Sequence, residues 1–378
     1  MNIYNPLHLC DIFKNTMNSG VKKMKKENLK LGFAFMLMAA LSACGNNDAS
    51  SNENQSNSGE TIEKTVNVYM PSPAGLQTAL EKGFEAAYPG VDMKVTSGTT
   101  GELLAKIEAE KTNPICDVLI LASWSDGINS LSKLDLMEYT PVNGDKLATP
   151  FKHSSNKIWG TSASAVGVLY NTDKVKKEEI EKLDWTDFAN KDKVNGTLKE
   201  TGEAAISIPD PTKSGACKDF LAGYVSSKGE SAWTDFNGWA SAGLKNGGGN
   251  KPALAAVESG SVDILVAGVD YNAYADKKKD KPIDIYYPKG GTVVNARPAM
   301  IMNTATHKNA AKKVMDYLCS DGAQKLVADA FLLPGREDVS ADSSRLGYSQ
   351  IKQFENLNWD NMAANGTEIA KNFVDLLK

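Results

Sequence analysis

The run Asp117–Leu121, DVLIL, sets the strongest limit on what this chain can fold into. A short, almost wholly apolar run of this kind needs cover on both faces, as a parallel strand inside an α/β layer has. The residues before it agree. Thr65–Met70 (TVNVYM) is β-branched and alternating and reads as a strand, stopped by Pro71-Ser72-Pro73. Leu76, Leu80, Phe84 and Tyr88 recur at helical spacing, Val91–Thr96 reads as a second strand and Glu102–Lys111 as a helix. Strand, helix, strand, helix, strand is the grammar of an α/β lobe. That grammar returns further along. Strands are predicted at Val166–Tyr170, Ala205–Ile208, Ile264–Ala267, Asp284–Tyr287 and Met300–Met302. Helices are predicted at Trp185–Ala189, Ala216–Ser227, Ala253–Ser259, Ala310–Cys319 and Ala323–Ala330, with a helical C-terminal tail. The body from Thr61 to Lys378 is too long for one typical domain and suits two.

The N-terminus carries a different message. Lys22, Lys23, Lys25 and Lys26 precede LKLGFAFMLMAALSAC (Leu29–Cys44), which is uncharged after Lys30. It is too short to span the ~30 Å hydrocarbon layer as a helix, and reads as an export signal. Leu41-Ser42-Ala43-Cys44 resembles the bacterial lipobox, which implies a diacylated Cys44 as first mature residue; a plain secretory signal is the other reading. Met17 and Met24 are alternative starts. Gly45–Glu60, GNNDASSNENQSNSGE, is nearly devoid of apolar residues and reads as a flexible tether.

The chain holds 42 basic and 46 acidic residues. Six lysines and two acids precede Cys44, so the net −4 of the whole becomes −8 from Cys44 onward. A mildly acidic body without a basic stripe argues against nucleic acid as a partner. Cys116, Cys217 and Cys319 are scattered, with no CxxC and no histidine nearby, so they read as small buried apolar residues rather than zinc ligands.

Five segments in order carry a family likeness: SGTTGELLAKIEAEKTNPICDVLILAS, VGVLYNTD, IPDPTKSGA, IYYPKGGTVVNARPAMI and HKNAAKKVMDYLCSDGAQKLV. With them the chain resembles the extracellular solute-binding proteins of ABC importers, of the type II periplasmic-binding fold, near the ferric-iron, phosphonate and organophosphate binders. The resemblance implies two α/β lobes, each a mixed sheet flanked by helices, joined by crossing strands around a ligand cleft that shuts by hinge motion. It divides the chain into a leader over 1–43, a tether over 44–61, a first lobe over 62–163 plus 288–378 and a second over 164–287. It further implies a monomer without cofactor, held to the membrane by lipid on the extracytoplasmic side, with permease subunits and a small solute as partners. A ligand-sensing lipoprotein feeding a membrane sensor kinase would share the same fold.

Two turns are candidates for holding an anion. Ser97, Thr99, Thr100 and Gly101 lie where a strand gives way to a helix, and Thr212, Ser214 and Gly215 repeat the arrangement in the other half. Free N–H groups and the helix dipole favour negative charge there, although Ser and Thr are also ordinary helix caps. Ser72, Ser123 and Trp124 stand at carboxyl ends of strands, where open α/β sheets place ligands, and Ser162–Ala165 precedes a crossing strand. Asp270, Tyr271 and Tyr274 follow the strand at Ile264–Ala267 and offer a carboxylate for a ligand amine and two phenols. An anion clamp with a carboxylate and aromatics fits a zwitterion such as 2-aminoethylphosphonate, or an organophosphate. Arg297 would serve either an anion or a salt bridge. Ferric binders of the resembled family use adjacent tyrosines in this region. Here Tyr271 and Tyr274 are three apart, and Tyr286-Tyr287 lie in a predicted strand whose neighbours face opposite sides, so no metal ligands are assigned and a ferric-iron-binding protein of an iron importer stands as the alternative reading. No GxSxG, HExxH or Walker loop is present, and catalysis is not expected.

Overall fold

The computed structural model describes residues 61–378; the export signal, Cys44 and the tether lie outside the described residues. The first half runs β1 (Thr65–Met70), α1 (Ala74–Ala87), β2 (Asp92–Ser97), α2 (Thr100–Ala109), β3 (Val118–Ile120) and α3 (Trp124–Lys133). β1 pairs in parallel with β2 on one side and β3 on the other. The DVLIL run is wholly buried, as its composition requires. α1 starts directly after Pro73 and buries Leu76, Leu80 and Phe84. Each such side chain contributes roughly 1.5–3 kcal/mol of burial. The Phe84 ring lies 5.1 Å from that of Tyr88.

β4 (Trp159–Asn171) then crosses the molecule, buried throughout its 13 residues. The second half contains α4 (Lys177–Ile180), α5 (Lys191–Asn195), β5 (Ile206–Ile208), α6 (Gly215–Lys228), α7 (Ser231–Ser241), β6 (Lys245–Asn246), α8 (Asn250–Glu258), β7 (Ile264–Val269), α9 (Asp270–Lys277) and β8 (Ile283–Tyr286). The chain returns through β9 (Val294–Ile301), α10 (Lys308–Leu318), α11 (Asp321–Asp329), β10 (Leu333–Pro334) and α12 (Trp359–Leu376).

β4 is what joins the halves. From Trp159 to Ala165 it pairs antiparallel with β9, which also pairs with β3; from Val166 onward it pairs with β7 and β8. Beyond β7 lie β5 and β6, both parallel. Each sheet has its own helices, and the carboxyl ends of β1, β3, β5 and β7 are directed toward the region between them.

The tail departs from the expected division. The expected division groups α12 with the first lobe, yet Phe373 meets Phe236 of α7 edge to face at 5.1 Å, and Gly366 lies against Ala222 and Lys218 of α6. On its other side, Asn129 of α3 donates to the Ala363 carbonyl at 2.8 Å. α12 therefore covers helices of both halves.

Cys116, Cys217 and Cys319 are buried and unpaired, and burial pushes the Cys319 thiol up to about 12. Among the described residues no helix is long and apolar enough to cross a membrane.

Candidate functional site

The region between the sheets centres on Arg297. Alternation along β9 puts Asn295 and Arg297 on one face, opposite Ser164 and Ser162 of β4. Asn295 fastens the end of β3: its Nδ2 donates to the Ala122 carbonyl and its Oδ1 accepts from Trp124 N–H, both at 2.9 Å. Arg297 is only 2 % exposed, and reaches the end of β1, donating from Nη2 to the Pro71 carbonyl at 2.8 Å. Its guanidinium lies 5.9 Å from the centre of the Tyr271 ring, and its Nε has no partner. Burial pulls its pKa below the usual guanidinium value, Tyr271 opposes that, and no carboxylate acts on it among the described residues. An arginine remains charged in any case. A buried cation without a counter-charge costs several kcal/mol, roughly, until an anion arrives.

A second cluster lies beside it at the start of α9. Ala267 in β7 takes the left-handed conformation (φ 56°), and the register of β7 on β4 shifts between Gly167 and Leu169. Such a bulge re-aims the chain that follows, here Asp270 and Tyr271. Asp270 does not present a free carboxylate to a ligand amine, as was expected of it. It is wholly buried and meets Arg345 Nη2 at 2.6 Å; Tyr287 also donates to it, at 3.0 Å. Burial raises the Asp270 pKa and Arg345 counters this. The Tyr274 and Tyr287 hydroxyls are 3.4 Å apart, and burial raises both phenols above their ordinary pKa. Two cavities flank α9. One of about 530 Å³ is bounded by Pro73, Tyr271 and Phe331, and one of about 940 Å³ by Tyr274, Arg345 and the 333–350 segment.

The third cluster is a contact between halves. Ser123 caps α3 and Ser214 caps α6, each accepting an N–H from its own first turn. A Cβ on Gly215 would come within 2.8 Å of Ser123 Cβ. Behind Gly215 on α6, Asp219 accepts from Ser123 at 3.1 Å and from Ser125, and Lys218 pairs with Asp126. Gly215→Val is accordingly expected to prop the halves apart. Solution scattering should show a larger radius of gyration with solute present, and affinity should fall roughly 10–100-fold. An unchanged radius and affinity would show that the contact is not part of closure.

The structure distributes the expected residues among these clusters. Ser72 adjoins Pro71 at the Arg297 seat, and Gln77 ties it to Ser97 through the Ser72 carbonyl at 2.7 Å and the Ser97 hydroxyl at 2.8 Å. The start of α2 is filled by its own acid: Glu102 accepts from Thr99 N–H at 2.8 Å, and Thr99 accepts in return from Glu102 N–H. Thr100 turns inward and accepts from Ala122 N–H at 3.0 Å, whereas Gly101 is exposed. Thr212 is exposed and bonded to Asp210. Trp124 is buried as packing. Sequence reasoning missed Arg345 and Asp219 at these places and set Tyr287 aside as a strand residue. Among the described residues no three His, Cys, Asp or Glu side chains gather to hold a metal ion.

A family profile described as bacterial extracellular solute-binding protein matches residues 113–365. The chain belongs to this family. It is 25 % identical over 357 residues to iron uptake protein A1 of Synechocystis, covering 86 % of this chain and 90 % of that one. Its fold is similar to that of iron-bound HitA from Pseudomonas aeruginosa (TM-score 0.70, 19 % identity, 82 % of this chain and 99 % of the other). It is equally similar to AfuA from Actinobacillus pleuropneumoniae with fructose-6-phosphate bound (TM-score 0.69, 21 % identity, 83 % and 97 %). The fold is thus the two-lobed periplasmic-binding type, with β4 and β9 running at the junction. This solute-binding protein is the non-enzymatic, extracytoplasmic component of an ABC importer, with a small molecule and permease subunits as its partners.

Proposed function

We propose that the solute is a small organic anion carrying a phosphate or phosphonate, an organophosphate or a phosphonate such as 2-aminoethylphosphonate, and that Arg297 is its seat. The observation that carries this reading is the buried, unneutralised guanidinium beside Pro71 and Tyr271. A doubly charged oxyanion gives Nε its missing acceptor and neutralises the charge at once. Ser72 and Tyr271 are the expected residues best placed to add donors. Cys44 acylation, a monomeric state and the lobe limits 62–163 with 288–378 and 164–287 belong to the same proposal, with residues 351–378 packed on both lobes.

Ferric iron is the rival, favoured by the gathering of Tyr271, Tyr274 and Tyr287 and by the iron-uptake relative. Against it, Tyr287 is spent on Asp270 and Asp270 on Arg345, and the Tyr274 and Tyr287 phenols must ionise against the cost of burial. Thermal unfolding separates the two. A phosphonate or sugar phosphate at a hundredfold excess over Kd should raise the midpoint by about 5 °C. Ferric salts should give no rise and no tyrosinate charge-transfer colour. Stabilisation by iron alone, with that colour, would replace the anion reading.

A further inference from the structure

Three stretches of chain pass between the lobes, and one carboxylate meets all of them. β4 makes the first passage: up to Ala165 it pairs with β9, and from Val166 onward with β7 and β8. The second leads from the end of β8 at Tyr286 to the start of β9 at Val294. The third leaves β10, which pairs with Ser162 and Ala163 of β4, and ends at Phe354. Phe354 lies beside Phe220 and Tyr224 of α6, and its N–H donates to the Thr292 carbonyl at 2.8 Å. Asp270 sits where β4 changes partners. Val166 faces Val269, so the next position along the ladder sets Ala165 against Asp270, and the Ala165 N–H acts on its carboxylate. Tyr287, in the second passage, donates to it at 3.0 Å, and Arg345, in the third, meets it at 2.6 Å.

Arg345 extends this grip. Its Nη1 donates to the Phe331 carbonyl just before β10, and its Nη2 holds Asp270 at the start of α9, so one guanidinium ties the two lobes. Both side chains of the ion pair are fully buried. Phe331 and Ala267, on either side of the pair along the chain, take the left-handed conformation (φ 60° and 56°). Residues other than glycine stay there only where their surroundings hold them.

We propose that Asp270 is the positioning residue of the hinge: by holding one donor from each passage it makes all three swing about a single point, so that the lobes close along one path. This holds whichever solute the cleft takes. Three independent linkers would let the lobes twist and slide as well as close. Pinned together, they leave rotation about the pin, with the bend absorbed at ends of elements such as Ala165 and Tyr287. The pin holds throughout the swing, because parting Arg345 from Asp270 would leave two desolvated charges without partners.

The test measures the spread of interlobe distances in the full chain without added solute, by pulsed electron resonance. Glu108 and Lys251, exposed positions in the first and second lobes, are replaced by p-acetylphenylalanine and coupled to a ketone-reactive nitroxide. Lys82 with Glu108, both exposed in the first lobe, gives the control pair. Asp270→Asn/Arg345→Met removes both charges together and releases the third passage. Its interlobe distribution should be about twofold wider than that of the wild type or more, with the control pair unchanged. Its urea midpoint should stay near the wild-type value, since removing both members of a buried ion pair is often close to neutral. Asp270→Asn alone, which keeps an acceptor for Tyr287, is the milder variant and should widen the distribution in the same sense. An interlobe distribution as narrow as that of the wild type in both variants would overturn the proposal. So would an equal widening at the control pair, which would mean that the ion pair supports the fold at large and not the hinge.

Discussion

Arg297→Met should abolish high-affinity capture of a phosphate or phosphonate solute while leaving the chain as stable as before, or more so. The two halves of that expectation have one cause. Without a solute the guanidinium is desolvated, and among the described residues its Nε has no hydrogen-bond partner and no carboxylate acts on it. Replacing it with an apolar chain of similar reach removes that cost and surrenders the hydrogen bond to the Pro71 carbonyl and the contact with Tyr271. The exchange is close to neutral or favourable by about 1 kcal/mol or more. With solute bound the sign reverses. Losing one partner of a buried, hydrogen-bonded charge pair costs about 3 kcal/mol or more, which is about a hundredfold in Kd. Titration calorimetry and urea unfolding of the same preparation read both quantities. A residue that only supports the fold would show the opposite pattern, a lower urea midpoint with affinity kept, and that result would remove Arg297 from the site.

Much of the architecture was legible because the decisive elements announce themselves locally. DVLIL is buried on both faces because no polar side chain interrupts it, and Leu76, Leu80 and Phe84 form one stripe because they repeat at helical spacing. The joining strand was half visible. VGVLY reads as a strand, whereas WGTSASA before it has small polar residues with no period, and is held extended by its pairing with β9. β9 itself was foreshortened to Met300–Met302 because Pro298 interrupts the pattern. The ladder tolerates that proline next to a register shift between Gly160 and Ser162.

The site was less legible, for a different reason. Motif spacing can show that Ser97–Gly101 opens a helix, but not that Glu102 occupies that opening. It can place Asp270 after a strand, but not bring Arg345 to it across 75 positions of sequence. Arg297 stood in the sequence with an anion and a salt bridge as equal prospects. The packing supplies it with a carbonyl and a ring and, among the described residues, no acid, which is what the anion proposal rests on.

Asp219 should make closure of the two lobes depend on pH, with affinity rising as the solution is acidified. With the halves in contact its carboxyl is wholly buried and burial pushes its pKa up to about 6. The charged groups facing it are Lys218 on its own helix, which opposes that rise, and Asp126 on α3, which adds to it. α12 packs over both helices with Met362, Ala363 and Gly366, none of which titrates. When the cleft opens, Ser123 and Ser125 withdraw and the carboxyl meets water, returning toward the ordinary value of about 3.9. The closed form therefore holds more protons than the open one between those two values. Its stabilisation is full below about pH 4 and is lost as pH rises through about 6, giving a gain in affinity of about tenfold from pH 7 to pH 5. The solute's own phosphate or phosphonate titrates in the same range, so the quantity to follow is the wild-type affinity divided by that of Asp219→Asn. Asparagine keeps the acceptor for both serines and carries no charge at any pH. Its affinity profile should reflect the solute alone, and at pH 7 it should bind more tightly than the wild type. A ratio that stays flat from pH 8 to pH 5 would mean that Asp219 remains buried in the open form, and that α3 and α6 move as one body when the cleft opens.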